Sequence, residues 1–190
     1  KTLAYSSRKK VGMEYALSTN TDIYLYDLVS GQTKNVTAPN GGYDTHPRFS
    51  PDGKSLSWIS MERDGYEADL KRLFVLDLKT GKKTYLTDGF EYDVDETVWA
   101  PDSKSIYFLC TKEAETHLWE LGLKKRSIRQ ITSGQYDYTS VSLSAGKLLA
   151  GRQSYNDPKD LYLVDPHSGK AQQVTAENKS ILGDMPNITV

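Results

Sequence analysis

The sequence predicts an all-β fold made of short antiparallel strands in repeated units, and three observations support this prediction. Of the 190 residues 37% are apolar, and tyrosine is the most frequent aromatic residue, with 13 copies. Tyrosine favours half-buried strands over the packed faces of a helical bundle. A tight-turn signal recurs between short apolar runs, and a second turn motif recurs at a nearly constant spacing. Repetition is therefore the main organising feature of the chain.

The tight-turn signal is the sequence Pro51-Asp52-Gly53, which separates two short apolar runs. Proline presets φ for a turn, aspartate bonds a nearby backbone N–H, and glycine accepts the left-handed conformation. The pattern predicts a β-hairpin. The same unit returns at 101–103, and a weaker copy occupies 144–146.

The second motif is a strand, an aspartate-initiated turn with glycine near its end, and a second strand that closes on threonine. Its copies cover 22–37, 73–87, 118–132 and 161–175, and the third lacks the Ser/Thr-Gly pair of the turn. The closing threonines are spaced by 50, 45 and 43 residues. Repeats of about 40–50 residues with four short strands are typical of β-propeller blades. We therefore predict a β-propeller fragment of about three and a half four-stranded antiparallel blades.

The second blade illustrates the predicted order of strands, which we label A to D. Its strands are expected at 47–50, 56–60, 73–78 and 84–87. The predicted partial propeller covers 1–176, with a linker at 177–190. Because the first residues resemble 54–60, the chain is expected to begin inside a repeat of a longer protein. Closure of the ring then needs further sequence or a second copy, so a dimer is left open. The predicted blades are 1–37, 46–87, 96–132 and 139–175.

The turns and loops of such blades emerge at two opposite ends. The A–B and C–D turns share one end, the short-turn end, which is rich in lysine. The B–C and D–A loops share the other, the long-loop end, which is rich in acids and tyrosines. Variable loops on a rigid scaffold tend to carry function, and an acidic surface attracts cations such as a peptide amino group. The alternative is that these charges are simply solvated. The predicted long loops are 61–71, 88–95, 111–116, 133–138 and 154–160.

The sequence lacks the motifs of several common catalytic and binding sites. There is no nucleophile elbow, phosphate-binding loop or dinucleotide fingerprint, and no histidine or cysteine pair at zinc-ligand spacing. We expect no catalytic residue, cofactor or metal site within this chain. The formal charge of −1 gives no reason to expect nucleic acid, and no apolar run reaches the length of a membrane span. Cys110 is expected to be a small buried hydrophobe.

The longest B–C insertion, at 61–72, mixes acids, arginines and a tyrosine. One interpretation is a short capped helical turn whose charges pair with each other. The other is an insertion that contacts a substrate.

Three stretches, 60–69, 134–141 and 177–182, resemble the acylaminoacyl-peptidase and dipeptidyl-peptidase 5 branch of the prolyl oligopeptidase family. The resemblance implies the C-terminal part of an N-terminal propeller that precedes an α/β-hydrolase domain. The family's Ser-Asp-His triad lies in that domain and maps onto nothing here. The hairpin repeats also resemble the periplasmic propeller of the Tol system.

The resemblance further implies a peptide substrate that the propeller screens by size and helps to hold by its N-terminus. Related dipeptidyl peptidases bind the α-amino group with paired glutamates, which this sequence lacks. Chemistry and loop position make Glu67 and Asp69 the candidates, while Arg63 and Tyr66 would orient them or contact a peptide carbonyl. The expected location is periplasmic or secreted, with the cytoplasm left open.

Two other functions stay open at this point. A non-catalytic propeller of the Tol type would bind a protein partner. A carbohydrate-active propeller enzyme would need two carboxylates at a defined separation, and no such pair stands out.

Overall fold

The computed structural model of the chain describes residues 1–182 and confirms the predicted fold class, because four antiparallel sheets follow one another along the chain. The chain divides into two compact units, residues 1–94 and the residues from 95 onward. The first unit holds the sheets that we call blades 1 and 2. The second holds blades 3 and 4.

Blade 1 has three strands and blade 2 has four, each paired with its sequence neighbours. Blade 1 contains β1 (Thr2–Ser7), β2 (Asp22–Asp27) and β3 (Thr33–Asn35), with a short helix α1 (Met13–Leu17) between β1 and β2. Blade 2 contains β4 (Asp44–Phe49), β5 (Ser55–Ser60), β6 (Arg72–Asp77) and β7 (Lys83–Tyr85). A buried cluster that includes Ile23, Leu56 and Trp58 forms the core of this unit.

The second unit repeats the four-stranded pattern twice. Blade 3 contains β8 (Asp95–Trp99), β9 (Ser105–Lys112), β10 (Glu115–Gly122) and β11 (Ser127–Gln130). Blade 4 contains β12 (Asp137–Ser144), β13 (Lys147–Gln153), β14 (Asp160–Val164) and β15 (Ala171–Gln173). Leu118, Leu148 and Val164 lie in its core, and Cys110 is buried as expected.

The closing threonines have the same structural role in every blade. The hydroxyls of Thr37, Thr87, Thr132 and Thr175 each accept the backbone N–H of the residue fourteen positions earlier, at 2.9–3.1 Å. Each bond ties a residue two positions past a D strand to the C strand before it. The recurring threonine therefore accepts a backbone N–H of the C strand that the pairing between strands leaves without an acceptor.

The aspartate-initiated turns also share one geometry. The Oδ1 atom of Asp77 accepts the N–H groups of Lys79 and Thr80 at 3.0 and 2.7 Å, and the Thr80 hydroxyl at 2.9 Å. Asp27 and Asp165 make the same set of bonds. Donation from the Thr80 N–H and hydroxyl lowers the pKa of Asp77.

The Pro-Asp-Gly hairpins form as predicted. Gly53 has a φ of 68°, and the Oδ1 atom of Asp52 accepts the Lys54 N–H at 3.1 Å. In blade 3, Ser103 takes the glycine position with a φ of 59°. A serine in the left-handed region carries a steric cost that glycine avoids.

The prediction of a long loop at 111–116 was wrong. Strand β9 runs to Lys112 and β10 starts at Glu115, so a two-residue turn joins them. Both turn residues, Glu113 and Ala114, have positive φ values, as a two-residue turn of type I′ requires. The usual Asn-Gly or Asp-Gly signal for such a turn is missing from the sequence.

The predicted linker lies only partly within the described residues. A short helix, α2 (Lys179–Leu182), follows blade 4, and 183–190 lie outside the described residues. The boundary between propeller and linker stays a prediction. No helix in the described part of the chain is both long and apolar enough to cross a membrane.

Candidate functional site

Three loops meet at the long-loop end of the first unit: the β1–β2 loop, the β3–β4 loop and the β5–β6 insertion at 61–71. The side-chain amide of Asn20 donates to the Asn40 carbonyl at 2.9 Å, which joins the first two loops. Gly42 lies against the insertion so closely that a Cβ atom there would be 2.3 Å from the Met61 carbonyl oxygen. Any side chain at this position would push the second loop away from the insertion.

Asp64 fastens the tip of the insertion to blade 1. Its carboxylate accepts the Ser18 hydroxyl at 2.9 Å and the Thr19 N–H at 2.7 Å. The Thr19 hydroxyl in turn accepts the Gly65 N–H at 2.8 Å. The Ser18 hydroxyl and the Thr19 N–H lower the pKa of Asp64, so its carboxylate stays ionised in this position.

Asp69 organises the insertion from within. Its side chain is 2% exposed, and its oxygens accept the N–H groups of Glu62, Arg63 and Leu70 at 2.8–3.0 Å. Guanidinium groups from two arginines add further contacts at 3.3–3.5 Å. Burial acts to raise the pKa of Asp69, but the N–H groups of Glu62 and Arg63 outweigh it and hold that pKa far below its usual value.

The other three predicted site residues lie on the exposed side of the same insertion. The Arg63 guanidinium stacks over the Tyr66 ring, 3.9 Å from its centre, while also contacting Asp69. Glu67 is exposed, and its Oε1 atom accepts the Tyr43 hydroxyl at 3.3 Å. The structure thus groups Arg63 with Tyr66 and Asp69, and places Glu67 beside a residue that the sequence did not single out.

The insertion is made of turns and contains no helix. The helical part of the first interpretation is therefore wrong. The charge pairing that it expected is present, because Arg72 contacts both Asp69 and Glu62. Contact with a substrate stays a prediction.

A cavity of about 400 Å³ opens beside the insertion, within the first unit. Trp58, Phe74 and Tyr85 line it as a stacked row, with ring centres 5.5 and 5.0 Å apart. Asp44 lies at its base, 1% exposed, and accepts the Trp58 indole N–H and the Asn40 amide at 2.9 Å. Burial raises the pKa of Asp44, and the hydrogen bonds offset part of that effect.

The second unit has its own cavity of about 400 Å³, lined mainly by polar residues. Glu113, Glu115 and Asp137 contribute acids, and Tyr136 and Tyr155 contribute rings. Asp137 accepts the Thr116 N–H at 3.0 Å, and Glu115 lies 3.2 Å from the His117 ring. Asp137 and Glu115 therefore already have partners from their own unit. In residues 1–182, no group of three or more metal-ligand side chains is placed to hold a metal ion.

Sequence reasoning missed the exposed apolar segment around α1. Val11, Met13 and Leu17 are all more than three-quarters exposed, and no residue of this helix is buried. The signal was a run of good helix formers between Gly12 and Ser18. The roles of Asp64 and Tyr43 were also missed, because they depend on contacts between loops.

Comparison with known families gives one match that covers nearly the whole chain. Residues 6–189 match the family described as the TolB beta propeller domain. The structure is also similar to that of acylaminoacyl peptidase from Pyrococcus horikoshii, with a TM-score of 0.73 and 17% identity over 97% of this chain and 27% of the other. At that identity the likeness concerns the fold alone.

Two relatives from the genus Porphyromonas are more similar in sequence. Dipeptidyl-peptidase 5 of Porphyromonas gingivalis is 62% identical over 180 residues, which is 95% of this chain and 26% of the relative. The protein of the same name from Porphyromonas endodontalis is 56% identical over 99% of this chain and 27% of the relative. The chain thus spans about a quarter of the length of these relatives.

Proposed function

Since the chain belongs to the TolB β-propeller domain family, we propose that it is the substrate-gating propeller portion of a serine exopeptidase. The longer protein would release dipeptides, or acylated residues, from the N-termini of peptides. The similarity to two dipeptidyl-peptidase 5 proteins along nearly all of the chain supports this proposal. The catalytic triad would lie in an α/β-hydrolase domain of the same longer chain.

The observation that carries the proposal is the construction of the insertion at 61–71. Asp64 fixes its tip to blade 1 and Asp69 fixes its backbone, so three side chains stand exposed on a held loop. Preorganised side chains lose little conformational freedom when a ligand binds. An insertion fastened in this way, at the end of the blades that carries the variable loops, suits a role in recognition.

Glu67 is the proposed acceptor for the substrate's α-ammonium group. Its carboxylate accepts the Tyr43 hydroxyl, and no second partner for it lies among residues 1–182, which leaves lone pairs for a cation. Arg63 and Tyr66, stacked together, would contact the first peptide carbonyl. Asp69 would act beneath them by positioning Arg63, since its own oxygens already accept three N–H groups.

The test uses the full-length protein with Glu67→Gln. Loss of a charge-assisted hydrogen bond worth roughly 1–2 kcal/mol should raise KM for free-amine dipeptidyl substrates about tenfold. KM for the N-acylated versions of the same substrates should stay unchanged. Glu91→Gln, which changes an exposed acid of another loop in the same unit, is the matched control. An equal rise in KM for free and blocked substrates would remove Glu67 from the site.

The chemistry of the longer protein is tested separately. Hydrolysis of dipeptidyl amides by the full-length protein should be abolished by a serine-directed fluorophosphonate. Residues 1–190 alone should hydrolyse none of these substrates. Turnover by the pure fragment would contradict the proposal that the catalytic triad lies in a separate domain.

A second candidate is a non-catalytic propeller that binds a protein partner. The exposed apolar segment around α1 favours it, because exposed apolar surface often marks a protein interface. Under this hypothesis the full-length protein would neither hydrolyse dipeptidyl amides nor react with the fluorophosphonate.

We also propose a periplasmic or secreted location and leave a dimer as a prediction. Cell fractionation with a periplasmic marker tests the first. Light scattering on the purified full-length protein tests the second.

A further inference from the structure

The aromatic cavity of blade 2 departs from the repeat that the other blades follow. Residues at matching positions of strands B, C and D are direct cross-strand neighbours in all four blades. In three blades the D-strand member is an amide, Asn35, Gln130 or Gln173. Blade 2 has Tyr85 at this position.

The side-chain amides at this position in the other blades form hydrogen bonds within their own blades. Asn35 accepts the N–H groups of Thr37 and Ala38, Gln130 donates to the Thr132 carbonyl, and Gln173 donates to Asp160. Tyr85 instead extends the row begun by Trp58 and Phe74, with its ring stacked 5.0 Å from that of Phe74. Blade 2 thus presents an aromatic wall to the cavity.

Charged residues flank this wall on the same face of the sheet. Side chains two positions apart on a strand share a face, so Lys83 lies beside Tyr85 and Arg72 beside Phe74. Arg72 is paired with Glu62 at 3.4 Å. The Lys83 ammonium donates to the Ala38 carbonyl at 3.2 Å, and no carboxylate within residues 1–182 pairs with it. The edge of the cavity therefore carries one cation, Lys83, that forms no ion pair with a carboxylate of the described residues.

We propose that this cavity binds a small carboxylate that carries an apolar side chain. The side chain would lie against Phe74 and Tyr85, and the carboxylate would meet the Lys83 ammonium. The volume of about 400 Å³ falls within the usual range for small-molecule sites, which are mostly apolar with a few polar groups that fix orientation. The acids of the lining are already bonded, Glu62 to Arg72 and Asp44 to the Asn40 amide and the Trp58 indole, so the Lys83 ammonium is the charge that a bound anion would meet.

This inference goes beyond the proposed function and does not depend on it. A hydrophobic dipeptide, the product that the proposed peptidase would release, has both of the required groups. A ligand in the cavity would also affect the insertion, because Arg72 lines the cavity and contacts Asp69. A bound product would then act on the same insertion that carries Glu67.

The test measures binding of N-acetyl-phenylalanine and of its uncharged amide to the full-length protein by titration calorimetry. Prior treatment with the fluorophosphonate blocks a serine active site if one is present. The acid should bind more tightly than the amide. Lys83→Gln should weaken binding of the acid by roughly three- to tenfold, as expected for one partly exposed charge contact, and leave the amide unaffected. Lys82→Gln, at the neighbouring exposed lysine, should change neither.

A second variant tests independently whether the aromatic wall contributes to the affinity. Tyr85→Gln introduces the residue that blades 3 and 4 already carry, so the sheet should tolerate it. It should weaken binding of both the acid and the amide. Equal affinity for the two probes, no effect of Lys83→Gln, or no binding at about 10 mM probe would overturn the proposal. Each of these readouts is independent of whether the protein hydrolyses peptides.

Discussion

Two aspartates at opposite ends of blade 2 use the same chemistry for different purposes. Asp77, in the short turn between β6 and β7, is exposed and accepts two nearby backbone N–H groups and a hydroxyl. Asp69, in the insertion before β6, is buried and accepts three N–H groups together with two arginines. The first is repeated in blades 1 and 4, whereas the second belongs to one loop. The repeated turns of the scaffold thus use an exposed aspartate as hydrogen-bond acceptor, whereas the insertion depends on a buried one.

The largest effect is expected from Asp69→Asn. The change removes the negative charge that Arg63 and Arg72 share and replaces one accepting oxygen by an amide NH2, which faces N–H donors, at a cost of about 2–4 kcal/mol. Hydrogen exchange in urea, resolved by mass spectrometry on the full-length protein, should show the loss in peptides that cover the insertion. Glu91→Gln is the control, and an unchanged protection pattern in Asp69→Asn would contradict the assigned role.

The same substitution should alter the pH dependence of stability. The folded pKa of Asp69 lies far below the unfolded value of about 3.9, so the unfolded state takes up the proton first. The stabilisation is complete above about pH 4 and is lost as the pH falls through the folded pKa. Protection of the insertion should therefore decline below pH 4 more steeply in the natural protein than in Asp69→Asn.

A smaller effect is expected from Thr87→Val. The hydroxyl of this buried threonine accepts the Leu73 N–H at 3.1 Å, so an isosteric valine leaves that donor unsatisfied. We expect a loss of about 1–2 kcal/mol in the unfolding free energy of blade 2. Thr87→Ser keeps the hydroxyl and should recover most of the loss. Equal destabilisation of the two variants would contradict this, because the methyl group that serine lacks would then contribute as much as the hydrogen bond that valine lacks.

Asp77→Ala should destabilise blade 2 less than Asp69→Asn does. Its turn is exposed, so water replaces the lost acceptor and no buried cation is left unpaired. Matched urea unfolding of the two variants makes this comparison directly. A loss for Asp77→Ala that equals or exceeds that of Asp69→Asn would show that the repeated turns contribute more than the insertion.

The smallest effect, and the one with the opposite sign, is expected from Ser103→Gly. Relief of the left-handed conformation at Ser103 should raise stability by about 0.5 kcal/mol, after the greater flexibility of the unfolded chain is counted. The reciprocal change Gly53→Ser should lower stability by about 1 kcal/mol. Thermal unfolding of the pair tests whether the two turns are equivalent.

The repeated features of this fold could be predicted from the sequence, because they depend on local chemistry. Asp27, Asp77 and Asp165 bond to residues two and three positions away, so their turns are visible as short motifs. The spacing of the threonines predicted a repeat of blade length, because each threonine hydroxyl accepts the N–H of the residue fourteen positions earlier. Glu113 and Ala114 escaped prediction because a two-residue turn formed there without its usual glycine.

The candidate site was predictable only in outline. Glu67 and Asp69 are two acids of one loop and look alike in sequence, yet one is exposed and the other is buried under arginines. Which of them is buried depends on how the loop folds back on itself. The contact from Asp64 to Ser18 spans 46 positions and leaves no local pattern.

That long-range contact also has a consequence for folding cooperativity. In repeat architectures the total stability is a sum of the stabilities of single repeats and of the interfaces between neighbours. Asp64 belongs to blade 2 and bonds to Ser18 and Thr19 of blade 1, so its contribution belongs to the interface. The loop proposed to recognise substrate therefore also couples two repeats into one unfolding unit. A substitution at Asp64 should therefore lower the stability of blade 1 as well as that of the loop.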